Sequence, residues 1–401
     1  MFLSFIKDYI KSNFYEECIQ SNYENTDLIT QIKDDICYNI YAILSPRHTE
    51  QCADAAAIHN TVKEYERYMI YNMVDNIANN LIKLEKLKNI VSELQKLELP
   101  EQRTQEWYNL RKGLLTASSL GTAIGENYYK TRDELLLEKV LCEEIPFVAN
   151  PITEWGVKYE EIATKLYEYL NDVKIIEFGL IPHPEFKIFG ASPDGICSND
   201  SPDEFIGRML EIKCPPKRKF SRNTQVPKSY WCQMQGQLAC CDLEECDFLQ
   251  VKLLEYKSFD DYKKDIFLID SIELKNGFTV NDLPKGCTLS YRKPSDLKLS
   301  YLYPEIGLSD DEYLQWIQNK KDWVKEKGYE YVESKWWKID HYACTLVKRD
   351  REWWINAMDK INAFWLDVEK YKKSGLNELK QRVMNKTFDK SDISNVTECL
   401  I

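Results

Sequence analysis

The run Leu210-Glu211-Ile212-Lys213 alternates aliphatic and charged side chains, and one local structure accommodates that alternation. On an extended strand successive side chains point to opposite faces, so Leu210 and Ile212 enter a core while Glu211 and Lys213 share the other face. A chain with this run has to build a sheet that is apolar on one side and charged on the other. Upstream, Ser192-Pro193-Asp194-Gly195 closes the strand-like run Phe186-Lys187-Ile188-Phe189-Gly190-Ala191, which puts Asp194 at the end of a neighbouring strand. Two carboxylates about 4 Å apart repel by roughly 4 kcal/mol at an effective dielectric near 20, so such a pair is stable at neutral pH mainly with a cation between its members. Oxygen ligands suit Mg²⁺ or Mn²⁺, and a lysine beside the ion can hold the attacking water and counter the charge of a phosphate. Asp, Glu and Lys so placed point to a metal-dependent nuclease.

Glu-x-Lys alone says little, because it recurs as Glu255-Tyr256-Lys257, Glu273-Leu274-Lys275, Glu333-Ser334-Lys335 and Glu378-Leu379-Lys380, each read as an exposed charge pair. The polar stretch Ser198 to Glu204, with Pro202-Asp203 inside it, reads as a hairpin turn. The neighbours add more. Trp155, Tyr159, Ile162, Ala163, Leu166, Tyr167 and Leu170 recur at helical spacing, giving an amphipathic helix with Glu160 and Glu161 near its start. Tyr230 to Cys241 reads as another helix, with Gln233 and Gln237 four apart on one side, and Phe248 to Leu254 as a strand. The order is helix with Glu, strands with Asp and Glu-x-Lys, helix with Gln, strand. That is a mixed α/β core whose polar residues can converge at one edge.

Five blocks in this order resemble the PD-(D/E)XK nuclease superfamily and, within it, the phage lambda exonuclease and YqaJ-type viral recombinase group, which includes versions in large DNA viruses. They are Glu106 to Ser119 with its Trp, Arg, Thr-Ala-Ser order, Trp155 to Glu160, Ser192 to Gly195, Leu210 to Pro215, and Tyr230 to Gln235. The resemblance implies an α/β fold with a restriction-endonuclease-like PD-(D/E)XK core, a mixed central sheet flanked by helices, plus a helical N-terminal extension and an insertion before the last core strand. It implies that Asp194 and Glu211 bind the principal metal together with the Ile212 backbone carbonyl. Glu160 completes the site or serves a second ion, Lys213 positions the water, and Gln233 braces the site. Arg111, Ser118 and Ser192 match positions that hold a terminal 5′-phosphate, which implies a 5′→3′ exonuclease on duplex DNA ends with Mg²⁺, or Mn²⁺, as cofactor. Each of these three also has a plain reading: a surface charge for Arg111, a helix cap for Ser118, a turn residue for Ser192. Glu161 reads as solvated charge. The likeness further implies a single-strand annealing protein as partner and a homo-oligomer, a trimer in the phage relative.

The resemblance covers about residues 103 to 256 and resumes at Tyr342 to Asp350, read as the last strand, before a helix with Trp353, Trp354, Ile361, Phe364 and Trp365. The expected organisation is a helical N-terminal region 1–100, a nuclease core 101–256, an insertion 257–341, the last core strand and C-terminal helix 342–372, and a polar tail 373–401 read as disordered. Ile77, Leu81, Leu84, Leu87, Val91 and Leu94 keep helical spacing up to Pro100, a stripe read as packing on the core. In the insertion, Asn276-Gly277, Pro284-Lys285-Gly286 and Pro294 are turn signals and Asp310 to Lys327 a helix. Trp336 and Trp337 there read as buried packing, with stacking on unpaired bases as the rival.

With 401 residues, 44% of them apolar, the chain can bury a large core, and no run nears the ~18 apolar residues of a membrane span. Met1 to Ile6 is too short and lacks the basic start of a signal peptide. The thirteen cysteines show no paired spacing, so they read as buried small hydrophobes or free thiols. An iron–sulfur cluster and, with only four scattered histidines, a zinc site are excluded on spacing. The expected site of action is an intracellular, reducing compartment: host cytoplasm or viral factory, with virion or nucleus as alternatives. A net charge of −12 counts against a general nucleic-acid binder. Locally, however, Lys217, Arg218, Lys219, Arg222 and Lys228 follow Cys214 with no acid before Trp231, which suits a passing DNA backbone, the alternative being a solvated face. The rivals to an exonuclease are an endonuclease or RNA-directed nuclease of the same core, and an inactive DNA-end-binding scaffold.

Overall fold

The alternating run is strand β6 (Met209–Lys213), and the elements around it follow from the same period-two and helical patterns. The computed structural model describes residues 72, 76, 79–102, 104–141, 150–221, 223–269, 273–294 and 298–391. The chain divides into two units, Met1–Glu93 and Leu94–Ile401. The expected apolar stripe lies on a helix over 79–95, with Leu81, Leu84, Val91 and Leu94 buried, while Ile77 and residues 1–71 lie outside the described residues.

The second unit opens with α1 (Gln105–Lys112), β1 (Leu115–Thr116), α2 (Ala117–Ala123) and α3 (Arg132–Val140). Next comes α4 (Pro151–Asn171), whose N-cap Asn150 accepts from the backbone N–H groups of Ile152 and Thr153. That cap and Pro at the first helical position start the helix as sequence rules expect. Short strands β2 (Ile175–Ile176), β3 (Ile181–Pro182), β4 (Phe189–Ala191) and β5 (Gly195–Cys197) lead to β6. Helix α5 (Lys228–Cys241) then crosses to β7 (Glu245–Glu255), which lies parallel to β6 with Glu211 opposite Phe248 and Lys213 opposite Gln250.

The remainder comprises α6 (Phe259–Lys264), the hairpin β8 (Phe267–Ile269) and β9 (Glu273–Lys275), β10 (Lys285–Arg292), β11 (Leu299–Leu302), α7 (Asp310–Glu326), β12 (Glu330–Lys348), α8 (Arg351–Ser374) and α9 (Asn377–Ser391). The main sheet is mixed and seven-stranded, in the order β11-β10-β12-β7-β6-β5-β2, and β1, β4 and β3 form a separate small sheet.

Helix α4 covers one face of the main sheet. Tyr159, Ile162, Ala163, Leu166 and Tyr167 pack with Leu210 and Ile212 of β6, Leu249, Val251 and Leu253 of β7, and Ile339 of β12. Each such fully buried aliphatic or aromatic side chain contributes roughly 1.5–3 kcal/mol. Leu170, expected in this stripe, is exposed, and Glu160 lies mid-helix instead of near the start. Glu211 points the other way, toward α5, as the alternation requires.

Four expectations change. Asp194 does not end a strand; it sits in the link between β4 and β5, which belong to different sheets. Pro284-Lys285-Gly286 is not a turn, because Lys285 and Gly286 begin buried strand β10, where the Lys285 ammonium donates to the Tyr262 carbonyl at 2.6 Å. The last strand starts at Glu330, well before Tyr342, and pairs with β10 along its first half and β7 along its second, so the 257–341 segment extends the main sheet. The tail is helical over Asn377–Ser391, where Arg382 reaches Asp133 of α3 at 3.3 Å. Trp337 is buried, and Trp336 packs on Phe259 and Tyr262, the core role preferred for them. All described cysteines are free thiols and all but Cys344 are buried; burial pushes Cys197 and Cys241 up to about 12. Among the described residues no helix is long and apolar enough to cross a membrane.

Candidate active site

Glu211 is fully buried, yet both its oxygens are satisfied. Oε1 accepts from the Lys213 ammonium and from Gln233 Nε2 at 2.7 Å; Oε2 accepts from Gln237 Nε2 at 2.7 Å. Lys213 and Glu211 meet because they are two apart on β6, and the two glutamines meet Glu211 because they are one turn apart on α5. Asp194 approaches from the β4–β5 link and accepts the Ile212 N–H at Oδ2, at 2.6 Å. Burial, and after it the charge of Glu211, hold the Asp194 pKa well above the usual carboxylate range; Glu160 adds to the rise, and Lys213 and the Ile212 N–H oppose it. Burial disfavours the Lys213 ammonium, but Glu211 and Asp194 outweigh it and raise its pKa. Glu160, half-buried on α4, thus contributes its field to the cluster. Among the described residues no three His, Cys, Asp or Glu side chains are gathered closely enough to hold a metal ion.

The link that carries Asp194 is tied down on several sides. Ser192 Oγ accepts from the Trp107 indole N–H at 3.3 Å, the Ser192 carbonyl accepts from Gln237 at 3.3 Å, and the Pro193 carbonyl from Gln102 at 3.4 Å. Trp107 also stacks under Arg111, whose guanidinium carbon is 4.1 Å from the ring centroid, and Arg111 donates to Ser118 Oγ at 3.3 Å. One indole therefore joins Arg111, Ser118 and Ser192 into a single group. Arg111 is half-buried and has no ion pair among the described residues, and burial lowers its pKa. A desolvated cation of this kind attracts an anion.

Of the basic loop, Lys217 and Lys219 are exposed. Arg218 turns inward, donating to Gln250 and lying 5.4 Å from the Tyr230 ring, and Lys228 folds over Trp231 at 4.0 Å. Arg222 lies outside the described residues. Glu161 is half-buried, and burial raises its pKa, so it is not simply solvated. Sequence reasoning gave no role to Trp107, Tyr230, Gln237 or Gln250. The available signals were the Gln233/Gln237 spacing and the places of Trp107 and Tyr230 inside the resembling blocks.

Asp194, Glu211 and Lys213 thus gather beside the β5–β6 pairing of the mixed sheet, between a covering helix and a glutamine-bearing helix. Residues 106–244 match the YqaJ-like viral recombinase domain. A curated viral relative, uncharacterized protein R354 of Acanthamoeba polyphaga mimivirus, is 31% identical over 298 residues, covering 68% of this chain and 53% of the relative. The chain thus spans about half the length of that relative. Among solved structures, the alkaline exonuclease LHK-Exo from Laribacter hongkongensis matches at 20% identity over 70% of this chain and 99% of its own, with a TM-score of 0.38. A phage related exonuclease from Haemophilus somnus 129PT matches at 16% identity over 66% of this chain and 96% of its own, with a TM-score of 0.33.

Proposed function

We propose that this protein is a metal-dependent exodeoxyribonuclease that degrades linear duplex DNA from 5′-phosphorylated ends in the 5′→3′ direction, leaving a 3′ single strand for viral recombination or replication. The observation that carries this reading is the Trp107-centred group: a half-buried arginine without an ion pair among the described residues, two serine hydroxyls, and a direct tie to the link bearing Asp194. Such a group suits a terminal phosphate, and its neighbour suits phosphodiester hydrolysis.

The carboxylates fit a divalent cation by donor chemistry, since all are oxygen ligands; burial first, and the charge of Glu211 after it, raise the Asp194 pKa, and a cation would offset both. Asp194, Glu211 and the Ile212 carbonyl would hold it, and Glu160 would join from α4 on a rearrangement that gathers the three carboxylates. When bound, the ion supplies a more acidic water and charge neutralisation at the phosphate. Lys213 then orients the attacking water, Gln233 fixes Glu211, and Lys217 and Lys219 face the duplex backbone. The released 3′ strand is a suitable substrate for an annealing protein.

The test incubates wild type, Asp194→Ala and Arg111→Ala with linear 5′-phosphorylated, linear 5′-hydroxyl and closed circular duplexes, in Mg²⁺ and in chelator. Metal-dependent loss of the phosphorylated linear strand, absent in Asp194→Ala and no longer end-selective in Arg111→Ala, is the expected result. Cleavage of the circle would replace the exonuclease by an endonuclease, and no cleavage anywhere by an end-binding scaffold.

A further inference from the structure

Gln237 on α5 is fully buried. Its Nε2 donates in two directions, at 2.7 Å to Glu211 Oε2 and at 3.3 Å to the Ser192 carbonyl. Both neighbours only accept, so turning the amide round would set its oxygen against a carboxylate. Its Oε1 is buried with no partner among the described residues. An unpaired buried acceptor destabilises a fold, and a side chain kept under that penalty is one whose donations matter. Glu211 is already held by Lys213 and Gln233 at its other oxygen. What Gln237 adds is a bond that joins the carboxylate to the main chain of the link, at the residue whose hydroxyl belongs to the Trp107 group.

We infer that Gln237 is a positioning residue that sets the spacing between the terminal-phosphate group and Glu211, so that a seated 5′-phosphate delivers the adjacent phosphodiester to the carboxylates. This rests on the proposed 5′-end-directed exonuclease. Reactive geometry is sensitive to such spacing, since a shift of about 1 Å can cost on the order of 10² in rate.

The test uses Gln237→Met, which keeps length but cannot donate, and Gln237→Leu, which is shorter and cannot donate either. Turnover and KM are measured on 5′-phosphorylated and 5′-hydroxyl linear duplex in Mg²⁺, with thermal unfolding as a folding control; should the Met variant fail to fold, the Leu variant reads the same ratio. The expected result is a fall of about tenfold or more in the kcat ratio of phosphorylated to hydroxyl ends, with KM for phosphorylated ends little changed. A proportionate loss on both ends, leaving the ratio intact, would overturn the inference by reducing Gln237 to a structural brace. Unchanged turnover on both would overturn it too. A wild type that cuts both ends equally would sink the end-directed reading itself, and the inference with it; wild type alone reveals that outcome.

Discussion

Lys213 lies within the fields of Glu211 and Asp194, so its ammonium stays charged despite burial. Lys213→Ala should lower turnover by about 10²-fold, the loss typical of an electrostatic or water-positioning group, while duplex binding persists. Parallel kinetic and binding titrations check this, and near-normal turnover would remove Lys213 from the chemistry. His183 offers a pH-dependent prediction away from the site. Its Nδ1 accepts the backbone N–H of Phe186 at 3.0 Å, which only the unprotonated nitrogen can do, and its ring stacks on Trp354. Burial, helped by Arg349 and Lys187, keeps its pKa below 6.5. The unfolded chain therefore binds a proton that the folded one refuses, and stability falls as pH drops below about 6.5. Denaturation midpoints at pH 7.5 and 5.5 should differ more for wild type than for His183→Asn; equal differences would refute the assignment. At this scale Glu211, Lys213 and Gln233 were legible because strand and helix periods fix which side chains share a face, whereas Asp194, in the β4–β5 link, was read from its motif and not from a period. Trp107 and Gln237 were not, since their partners in the 192–194 link lie 85 and 45 residues away.

Elements meet at α5, whose closeness to β4 and α2 depends on Gly236. A Cβ there would lie 2.8 Å from Phe189 Cζ and 3.1 Å from Leu120 Cδ2. Gly236→Ala gains helix propensity but overpacks this contact, and a net destabilisation of about 1–2 kcal/mol is expected in chemical denaturation. A more stable variant would mean that Phe189 gives way easily. Helix α4 was legible from apolar periodicity, since it has one face to bury, and β6 and β7 from short runs rich in apolar residues, which are buried on both faces. Strand β10 was hidden because Pro284-Lys285-Gly286 has turn composition, while its burial depends on a lysine satisfied by a distant carbonyl, that of Tyr262. The length of β12 was hidden as well: its first half alternates weakly, being half-exposed over much of its course, and only pairing with β10 makes it a strand.

For the whole molecule, a net charge of −12 means that the duplex contact proposed above would rest on local patches such as the exposed Lys217 and Lys219. The longer-range lesson concerns where the molecule can be cut. The family match ends at Glu244, one residue before β7, the parallel partner of the strand that carries Glu211 and Lys213. A fragment spanning 106–244 should fail to fold, giving no cooperative unfolding transition, whereas one spanning 94–391 should show one; a folded short fragment would contradict the sheet order. Strand β12 sharpens the point, because it is bonded to β7 on one side and to β10 on the other. Excising residues 257–329 as though they were a detachable insert would strip one flank of β12 and leave a long open edge inviting pairing with another copy. The stretch by which this protein is recognised is thus shorter than the stretch that can be made in a test tube, and expression trials trimmed to the former should yield aggregates.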